Sequence, residues 1–368
     1  MSKKRPYVLF FGSYDESVHP RTRVLREGLL AAGCEVRERK AELGFSTAQR
    51  VQMLSDPRRL PGLALRILRC WAVLVWQWLA GPRRFDAVVV GYLGHFDVLL
   101  ARVLHPRTTI VLDYLISLED TAADRRSTGG VVGRVMRALD LMACACADVV
   151  LVDTHESRQT VPERFRDKVL VVLVGAPQSW FSAPPEPRPP GPLRVVFFGL
   201  FTPLQGAPVL LSGIRQAMDA GRTFEVTIIG SGQDYEAARQ QAPVTGVRWL
   251  DWVASDDLPA LVAAHDLCVG ILGATPKALR VVPNKAYQGA AAGTLVLTSD
   301  TEPQRTALPS TTVFVPPDDA DGLTAALLCI PEGEELARRR HASFDEATRT
   351  VAPEAVVQPL LDLLTAMT

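Results

Sequence analysis

The 368-residue sequence lacks a charge excess, a transmembrane-length apolar run and an apolar leader. Lysine plus arginine and aspartate plus glutamate both number 40, so the formal net charge is zero. This balance removes the basic surplus that is typical of nucleic-acid-binding proteins. No apolar stretch approaches the roughly 20 residues of a membrane-spanning helix, and the run at residues 7–11 is too short for a signal peptide. We therefore expect a cytoplasmic protein.

Cysteine pairs with metal-ligand spacing are also lacking. The six cysteines are scattered along the chain: Cys34, Cys70, Cys144, Cys146, Cys268 and Cys329. Cys144 and Cys146 are separated by one residue instead of two, and no second pair accompanies them. Most of the six lie among apolar residues, so we interpret them as reduced core thiols.

The length and apolar content predict two domains. Apolar residues make up 48% of the chain, and 368 residues suit two domains of about 150–200 residues each. The proline-rich segment 184–193 is typical of a stiff linker. On both sides of it an apolar strand, a glycine turn and a helix follow one another, as in doubly wound α/β domains. We predict domains at 1–183 and 194–350 and a C-terminal helical segment at 351–368.

One segment of the first half has two interpretations. Residues 70–81 are almost wholly apolar, include Trp71, Trp76 and Trp78, and have arginines on both sides. Such a segment is typical of a helix lying on a membrane surface. A helix buried in the domain explains the same pattern, and we slightly favour burial. Peripheral contact with the inner face of a membrane through residues 71–78 stays open.

Polar residues follow the predicted strands of the first half. The strand at 87–91 is followed by Tyr92-Leu-Gly94-His95, and the carboxyl ends of parallel strands face the ligand in this class of fold. His95 is therefore the candidate for chemistry on the acceptor. Arg21 and Arg23, near the glycine turn that follows the first strand, could contact a phosphate or lie in solvent.

Two glycine loops follow strands of the second half. The first runs from Gly199 to Gly206 and includes Thr202 and Gln205; the second is Gly230-Ser-Gly232. Tyr235 occupies the third glycine position of a dinucleotide fingerprint, so we do not predict NAD.

The most informative stretch is 277–300. Lys277, Arg280 and Lys285 surround the start of a helix that Pro283 is suited to begin, and Gly293 is suited to end it. A helix amino terminus close to several cations is suited to bind phosphate. The alternative is a surface helix with solvated basic residues, but its small apolar residues favour burial.

This stretch resembles the donor-site signature of GT-B glycosyltransferases of retaining family four, P-N-K-x-Y-x-x-x-A-x-G-x-x-V-x-T. The resemblance extends over nearly the whole chain. It implies a GT-B architecture, with two Rossmann-like domains facing a cleft and a C-terminal helix that crosses back to the N-terminal domain. It also implies that this loop and helix bind the diphosphate and ribose of a nucleotide sugar.

The sequence departs from the family pattern at three positions. Gln205 replaces a lysine of the first glycine loop, while Arg280 and Gln288 replace the two glutamates of a Glu-x7-Glu pair. Gln288 can still hydrogen-bond ribose hydroxyls, and Arg280 could restore the missing positive charge. The departures leave the donor sugar open, and an impaired or repurposed enzyme is the alternative they raise.

The resulting hypothesis is a retaining, metal-independent transfer of a sugar from a UDP- or GDP-linked donor to a small-molecule or lipid-linked acceptor. The residue composition, typical of high-GC bacteria, favours natural-product or cell-surface glycan biosynthesis. Arg280, Lys285 and His95 are the candidate catalytic residues, and no cofactor is expected besides the donor. The candidate donor-binding residues are Gly199, Thr202, Gln205, Gly206, Gly230, Gly232, Lys277, Pro283, Asn284 and Gln288. The alternatives are a nucleotide-sugar epimerase or phosphorylase of the same fold, and a non-catalytic membrane-surface protein.

Overall fold

A computed structural model of the protein describes residues 5–16, 19–44, 60–119, 131–181, 191–243 and 245–367. The chain forms two compact units. Unit 1 comprises Met1–Leu173 and Pro353–Thr368, and unit 2 comprises Val174–Ala352. Of the predicted linker 184–193, residues 184–190 lie outside the described residues.

The described residues contain strands and helices in regular alternation. The strands are β1 (Tyr7–Gly12), β2 (Glu35–Lys40), β3 (Ala87–Val90), β4 (Thr109–Asp113), β5 (Val149–Val152), β6 (Val169–Val171), β7 (Leu193–Phe198), β8 (Phe224–Ile229), β9 (Val247–Leu250), β10 (Leu267–Val269), β11 (Leu295–Ser299) and β12 (Val313–Val315). The helices are α1 (Arg21–Ala31), α2 (Leu60–Ala80), α3 (Asp97–Leu104), α4 (Val131–Cys146), α5 (Ala207–Asp219), α6 (Tyr235–Gln241), α7 (Leu258–Ala263), α8 (Asn284–Ala291), α9 (Glu302–Ala307), α10 (Ala320–Cys329), α11 (Gly333–Thr350), α12 (Pro353–Val356) and α13 (Gln358–Met367). Short 3-10 turns lie at Glu156–Thr160, Glu163–Lys168 and Gln178–Trp180.

The sheet of unit 1 is six-stranded, with the order β2-β1-β3-β4-β5-β6, and its strand pairs are parallel. Central strands such as β3, Ala-Val-Val-Val, are fully buried because helices cover both faces of a parallel sheet. The edge strand β2 carries Glu, Arg and Lys instead. The chain reverses direction across the sheet between β1 and β3, where ligands bind in such folds.

The sheet of unit 2 is also six-stranded and parallel, with the order β12-β11-β10-β7-β8-β9. This is the strand order of Rossmann dinucleotide-binding domains, with its switch point between β7 and β10. The predicted doubly wound α/β fold is therefore confirmed. The switch point directs attention to the loops that follow β7 and β10.

The C-terminal segment returns to unit 1, as predicted. Val356, Val357 and Leu360 lie in the same apolar core as β1 and α1. Helix α1 approaches this segment closely at Gly28, where an added Cβ would lie 2.2 Å from the carbonyl oxygen of Pro353. Glycine is needed there because any larger residue would separate the two helices.

The tryptophan-rich segment lies in α2, which is longer than the predicted helix. One of its faces is buried: Leu74 is inaccessible to solvent and the Trp71 indole N–H donates to Asp97 Oδ1 over 3.1 Å. The opposite face is exposed, including Trp76. The favoured burial is therefore confirmed for one face of the helix, and the alternative, contact with a membrane surface, stays a prediction. Among the described residues, no helix has the length and apolarity needed to cross a membrane.

Candidate functional site

The two predicted glycine loops of unit 2 contact each other through their backbones. The N–H of Phe201 donates to Ser231 O over 3.0 Å. Gly230 has φ +124°, and a Cβ at this position would lie 2.0 Å from Gly199 O. A Cβ added at Gly232 would likewise lie 2.5 Å from the carbonyl oxygen of Phe201. The loops require glycine because a side chain at either position would force them apart.

The remainder of the first loop is held to the end of β10. Gln205 N donates to Thr202 O over 2.8 Å, which forms a turn. Gly206 then adopts φ +67° and caps the amino end of α5. Leu272 N donates to Gln205 O over 3.1 Å, so the loop is fixed at the switch point of the sheet. We expect this arrangement to preorganise the loop for a ligand.

Helix α8 begins and ends close to the predicted positions. Pro283 is the N-cap with extended geometry, so the prediction that it occupies the first helical position was wrong by one residue, and Asn284 begins the helix. Gly293 ends α8 with φ +72°, as predicted. The helix packs closely on β10, because an added Cβ at Gly289 would lie 2.6 Å from that of Cys268. The small residues of α8 are therefore explained by packing.

Lys285 is the most unusual side chain of this region. It is only 4% exposed, yet its Nζ makes no hydrogen bond within the described part of the chain. Nζ lies 3.5 Å from the centroid of the Phe197 ring, a partner that the sequence analysis did not identify. Burial lowers the pKa of Lys285 from 10.5 to about 7, against a small opposite effect of Cys268. An ammonium group buried in this way is costly unless an anion accompanies it.

Lys285 lies next to the first glycine loop. A Cβ on Gly199 would be 3.9 Å from Lys285 Nζ and equally 3.9 Å from Gln205 Oε1. Gln205 Oε1 is also buried and without a hydrogen-bond partner among the described residues. The structure thus brings together three of the predicted residues, and two of them carry unused polar groups. Both groups can bind a ligand with phosphate oxygens and hydroxyls.

The other predicted cations lie on the loop before α8. Arg280 Nε donates to Pro276 O over 3.0 Å, and Arg280 N donates to Lys277 O over 3.1 Å. Both side chains remain partly exposed. Gln288 is half-buried on α8, one turn after Lys285 and therefore on the same side of the helix.

His95 of unit 1 lies in the turn between β3 and α3, and it is buried. Its Nε2 is 3.1 Å from Asp140 Oδ1. Burial raises the pKa of Asp140, but the hydrogen bond and charge of His95 and two backbone N–H groups outweigh it and lower that pKa. Leu93, two residues earlier, has φ +59°, a strained conformation for a bulky residue. Asp140 was not predicted from the sequence, although a single carboxylate on the apolar face of α4 was a usable signal.

Arg21 does not face a ligand. It is completely buried, its Nε lies 3.1 Å from Asp113 Oδ1, and its Nη1 donates to Val172 O over 2.6 Å. The suggestion that Arg21 contacts phosphate or lies in solvent was therefore wrong, because this guanidinium joins α1 to the ends of β4 and β6. Arg23 instead pairs with Glu27 on the partly exposed side of α1.

One Asp-x-Asp triplet is present, at residues 319–321. Asp319 Oδ1 accepts from Gly322 N over 2.9 Å, so this residue caps α10. The described ranges contain no group of three or more His, Cys, Asp or Glu side chains placed to hold a metal ion.

Comparisons with known proteins concern the family of unit 2 and the fold of the chain. Residues 192–331, within unit 2, match the family described as Glycosyl transferases group 1. Over 147 residues the chain is 31% identical to a phosphatidyl-myo-inositol mannosyltransferase of Mycolicibacterium smegmatis, a match that covers 39% of this chain. The match spans 37% of that relative's length.

Solved structures resemble the whole chain at low identity. Sucrose-phosphate synthase from Thermosynechococcus elongatus superposes with a TM-score of 0.67 at 14% identity, covering 99% of both chains. The Anabaena protein HepE, solved in complex with UDP, superposes with a TM-score of 0.65 at 12% identity, covering 98% of this chain and 100% of that one. At such identities the likeness shows the fold, which is GT-B. Residues 192–331 of unit 2 are therefore similar to the glycosyl transferases group 1 family, and the chain shares the GT-B fold.

Proposed function

We propose that the protein is a glycosyltransferase that moves a sugar from a UDP- or GDP-linked donor to a small-molecule or lipid-linked acceptor, with retention at the anomeric carbon. The observation that carries the proposal is Lys285, a buried ammonium group without a hydrogen-bond partner in the described structure, at the amino end of α8 and beside a glycine loop. Such a position is suited to a diphosphate, because the helix dipole and the cation both attract an anion.

The donor diphosphate would lie between Lys285 and the loop that contains Gly199, Thr202, Gln205 and Gly206. Further residues are assigned to the same ligand: Lys277 and Arg280 to its phosphate oxygens, Pro283 and Asn284 to the helix end, Gln288 to the ribose, and Gly230 and Gly232 to the side of the base. HepE, whose fold is similar, was crystallised with UDP and with UDP-glucose. This supports a nucleoside diphosphate sugar as the donor.

Charge on the leaving diphosphate increases in the transition state of sugar transfer. Groups that already point at this charge lower the barrier by electrostatic stabilisation and need no reorganisation. Lys285 is held in place by its burial and its contact with Phe197, so we assign it this role. Arg280, whose guanidinium is partly exposed, can reorient toward the same oxygens. With cations supplied by the chain, the proposed reaction needs no metal ion.

The glycine loop has one cation fewer than the family pattern. Lys285 matches the lysine of the family signature, whereas Gln205 stands where the resembling glycosyltransferases have a second lysine. A Cβ added to Gly199 would lie 3.9 Å from both Lys285 Nζ and Gln205 Oε1, so the two positions border the same part of the loop. The depressed pKa of Lys285 implies that donor binding takes up a proton.

The acceptor would bind to unit 1 near His95. The buried contact of His95 with Asp140 fixes the orientation of the imidazole ring. The strained turn at Leu93 is typical of functional sites. A relative that matches part of the chain is named as acting on phosphatidyl-myo-inositol. This favours a lipid-linked acceptor over a soluble one, in cell-surface glycan biosynthesis.

A thermal-shift screen with UDP, GDP, dTDP and ADP tests donor binding. At about one hundred times its dissociation constant, a ligand adds about 2.7 kcal/mol of stability. We expect stabilisation by UDP or GDP, and little with Lys285→Met. The double variant Gln205→Lys/Lys285→Met should recover part of the response, since it places a cation on the glycine loop, where the resembling family has a lysine in addition to the one at the Lys285 position. Gln240→Lys in the Lys285→Met background is the control, because Gln240 is exposed on α6.

Failure of the double variant to recover any binding, with its fold intact, would contradict a diphosphate lying between Lys285 and the glycine loop. Retention is tested separately with UDP-glucose and GDP-mannose by following the anomeric proton of the product by NMR. Release of an epimer or of a sugar phosphate without an acceptor would instead support an epimerase or a phosphorylase.

A further inference from the structure

Helix α2 exposes an apolar face that nothing in the described structure covers. The face consists of Leu65, Leu68, Val73, Trp76 and Leu79, which are between 45% and 68% exposed. We call this set the outer face. Isolated exposed apolar residues are common on proteins, but a contiguous patch of this kind marks an interaction surface.

The residues of the outer face recur at helical spacing. Leu65, Leu68, Trp76 and Leu79, with the exposed Ala72 between them, are separated by three or four residues and therefore share one side of the helix, and Val73 borders them. The line from Leu65 to Leu79 is about 21 Å long at a rise of about 1.5 Å per residue. Trp76, the most exposed of these side chains at 68%, lies in its second half.

The other side of α2 fixes the helix to unit 1. Leu74 is fully buried, Trp71 Nε1 donates to the carboxylate of Asp97, and Gln77 Nε2 donates to Lys40 O over 3.3 Å. The helix cannot rotate to bury its outer face without breaking these contacts. The exposure of the outer face is therefore a stable feature of the unit.

The charged side chains of α2 itself and of the five residues after it have one sign. Residues 60–85 contain no aspartate or glutamate, and their charged side chains are Arg66, Arg69, Arg83 and Arg84, all exposed. Arg83 additionally stacks over the ring of Trp78 at 4.3 Å. In a chain whose formal net charge is zero, this is a local concentration of positive charge.

We propose that the outer face of α2 binds the surface of an anionic lipid bilayer, with the helix lying in the plane of the interface. Apolar side chains that include tryptophan enter the boundary between headgroups and acyl chains, and flanking arginines contact anionic headgroups. A symmetric dimer through this face would bring the arginines of two copies together, which like-charge repulsion disfavours. An anionic surface complements both the apolar face and its charged border.

Co-sedimentation with lipid vesicles tests this proposal, and it does not require sugar transfer. The wild-type protein is mixed with vesicles of phosphatidylcholine alone, and with vesicles that also contain phosphatidylglycerol. We expect binding to the anionic vesicles, weakened by salt. Trp76→Ser should lower the partition coefficient at least about tenfold. Trp252→Ser is the matched control, because Trp252 is 76% exposed but belongs to unit 2.

A second variant, Arg83→Gln/Arg84→Gln, separates the two contributions. It should weaken binding to anionic vesicles and remove most of its salt dependence. Equal melting temperatures would show that the variants remain folded, as expected for exposed positions. The proposal is overturned if wild-type protein does not bind either vesicle, or if Trp76→Ser and Trp252→Ser bind equally. It is also overturned if sedimentation velocity shows a dimer that Trp76→Ser dissociates.

Discussion

Replacing Lys285 by methionine should stabilise the free protein and remove its response to nucleoside diphosphates. Methionine preserves most of the length and volume of the lysine side chain and deletes the ammonium group. In the wild type that group is buried over Phe197 without a hydrogen-bond partner in the described structure. The variant therefore distinguishes the free-energy cost of burying the charge in the free protein from the contribution of the charge to ligand binding.

The expected change in the free energy of unfolding follows from the lowered pKa of Lys285. A depression from 10.5 to about 7 corresponds to on the order of 5 kcal/mol of unfavourable free energy for the charged form in the folded state. The contact with Phe197 offsets about 2 kcal/mol of this, and an imperfect fit of methionine costs less than about 1 kcal/mol. The free energy of unfolding should consequently rise by about 2–3 kcal/mol in Lys285→Met.

The dependence on pH has a defined direction. Between about pH 7 and 10.5 the unfolded chain keeps the Lys285 proton and the folded chain has lost it. The stability of the wild type must then increase with pH in this window, and the penalty is largest below about pH 7. The gain in the free energy of unfolding of Lys285→Met over the wild type is thus largest at pH 6.5 and smaller at pH 9.5.

Urea unfolding curves at both pH values measure this difference. Lys277→Met is the control, because Lys277 is partly exposed on the neighbouring loop and should change stability little at either pH. The reasoning would be refuted if Lys285→Met were less stable than the wild type at pH 6.5, or if the difference did not narrow at high pH. Either result would mean that the folded protein already compensates this ammonium group.

Two further predictions concern stability. Asp113→Asn removes the charged partner of the fully buried Arg21, so we expect a loss of about 3 kcal/mol in the free energy of unfolding, measured by urea denaturation. Restored stability in the double variant with Arg21→Met would identify the unpaired charge as the cause, and an unchanged midpoint in Asp113→Asn would contradict the argument. Gly230→Ala places a Cβ 2.0 Å from Gly199 O at φ +124° and should cost about 2–3 kcal/mol and weaken UDP or GDP binding. Gly221→Ala, also at positive φ but with no atom within 4 Å, should cost about 1 kcal/mol and leave binding unchanged.

Much of the fold was accessible from the sequence because the strands of a parallel sheet are short apolar runs bounded by glycine. The β7 strand, the loop from Gly199 to Gly206 and the stop of α8 at Gly293 were all predicted on this basis. Each depends on local chemistry. A strand buried on both faces accepts few residues other than apolar ones, and glycine is nearly alone in tolerating positive φ.

The environment of individual side chains was not accessible in the same way. Arg21 is the first residue of α1, and Lys285 is the second residue of α8. The local pattern predicts a phosphate contact for both side chains alike. The structure pairs Arg21 with Asp113, which is far away in sequence, and leaves Lys285 over Phe197. Which cation is neutralised depends on contacts between distant strands, and no local spacing encodes those.

The return of the C-terminal segment to unit 1 makes unit 2 an insertion within unit 1. During synthesis the ribosome releases Val356, Val357 and Leu360 only after all of unit 2 has emerged, yet these residues complete the core beneath α1. The nascent first unit therefore carries an unfilled apolar surface while the second one folds, a state in which chaperone binding and aggregation compete. The unit made second can thus close first, because the core of the unit begun first is completed only by residues that follow unit 2.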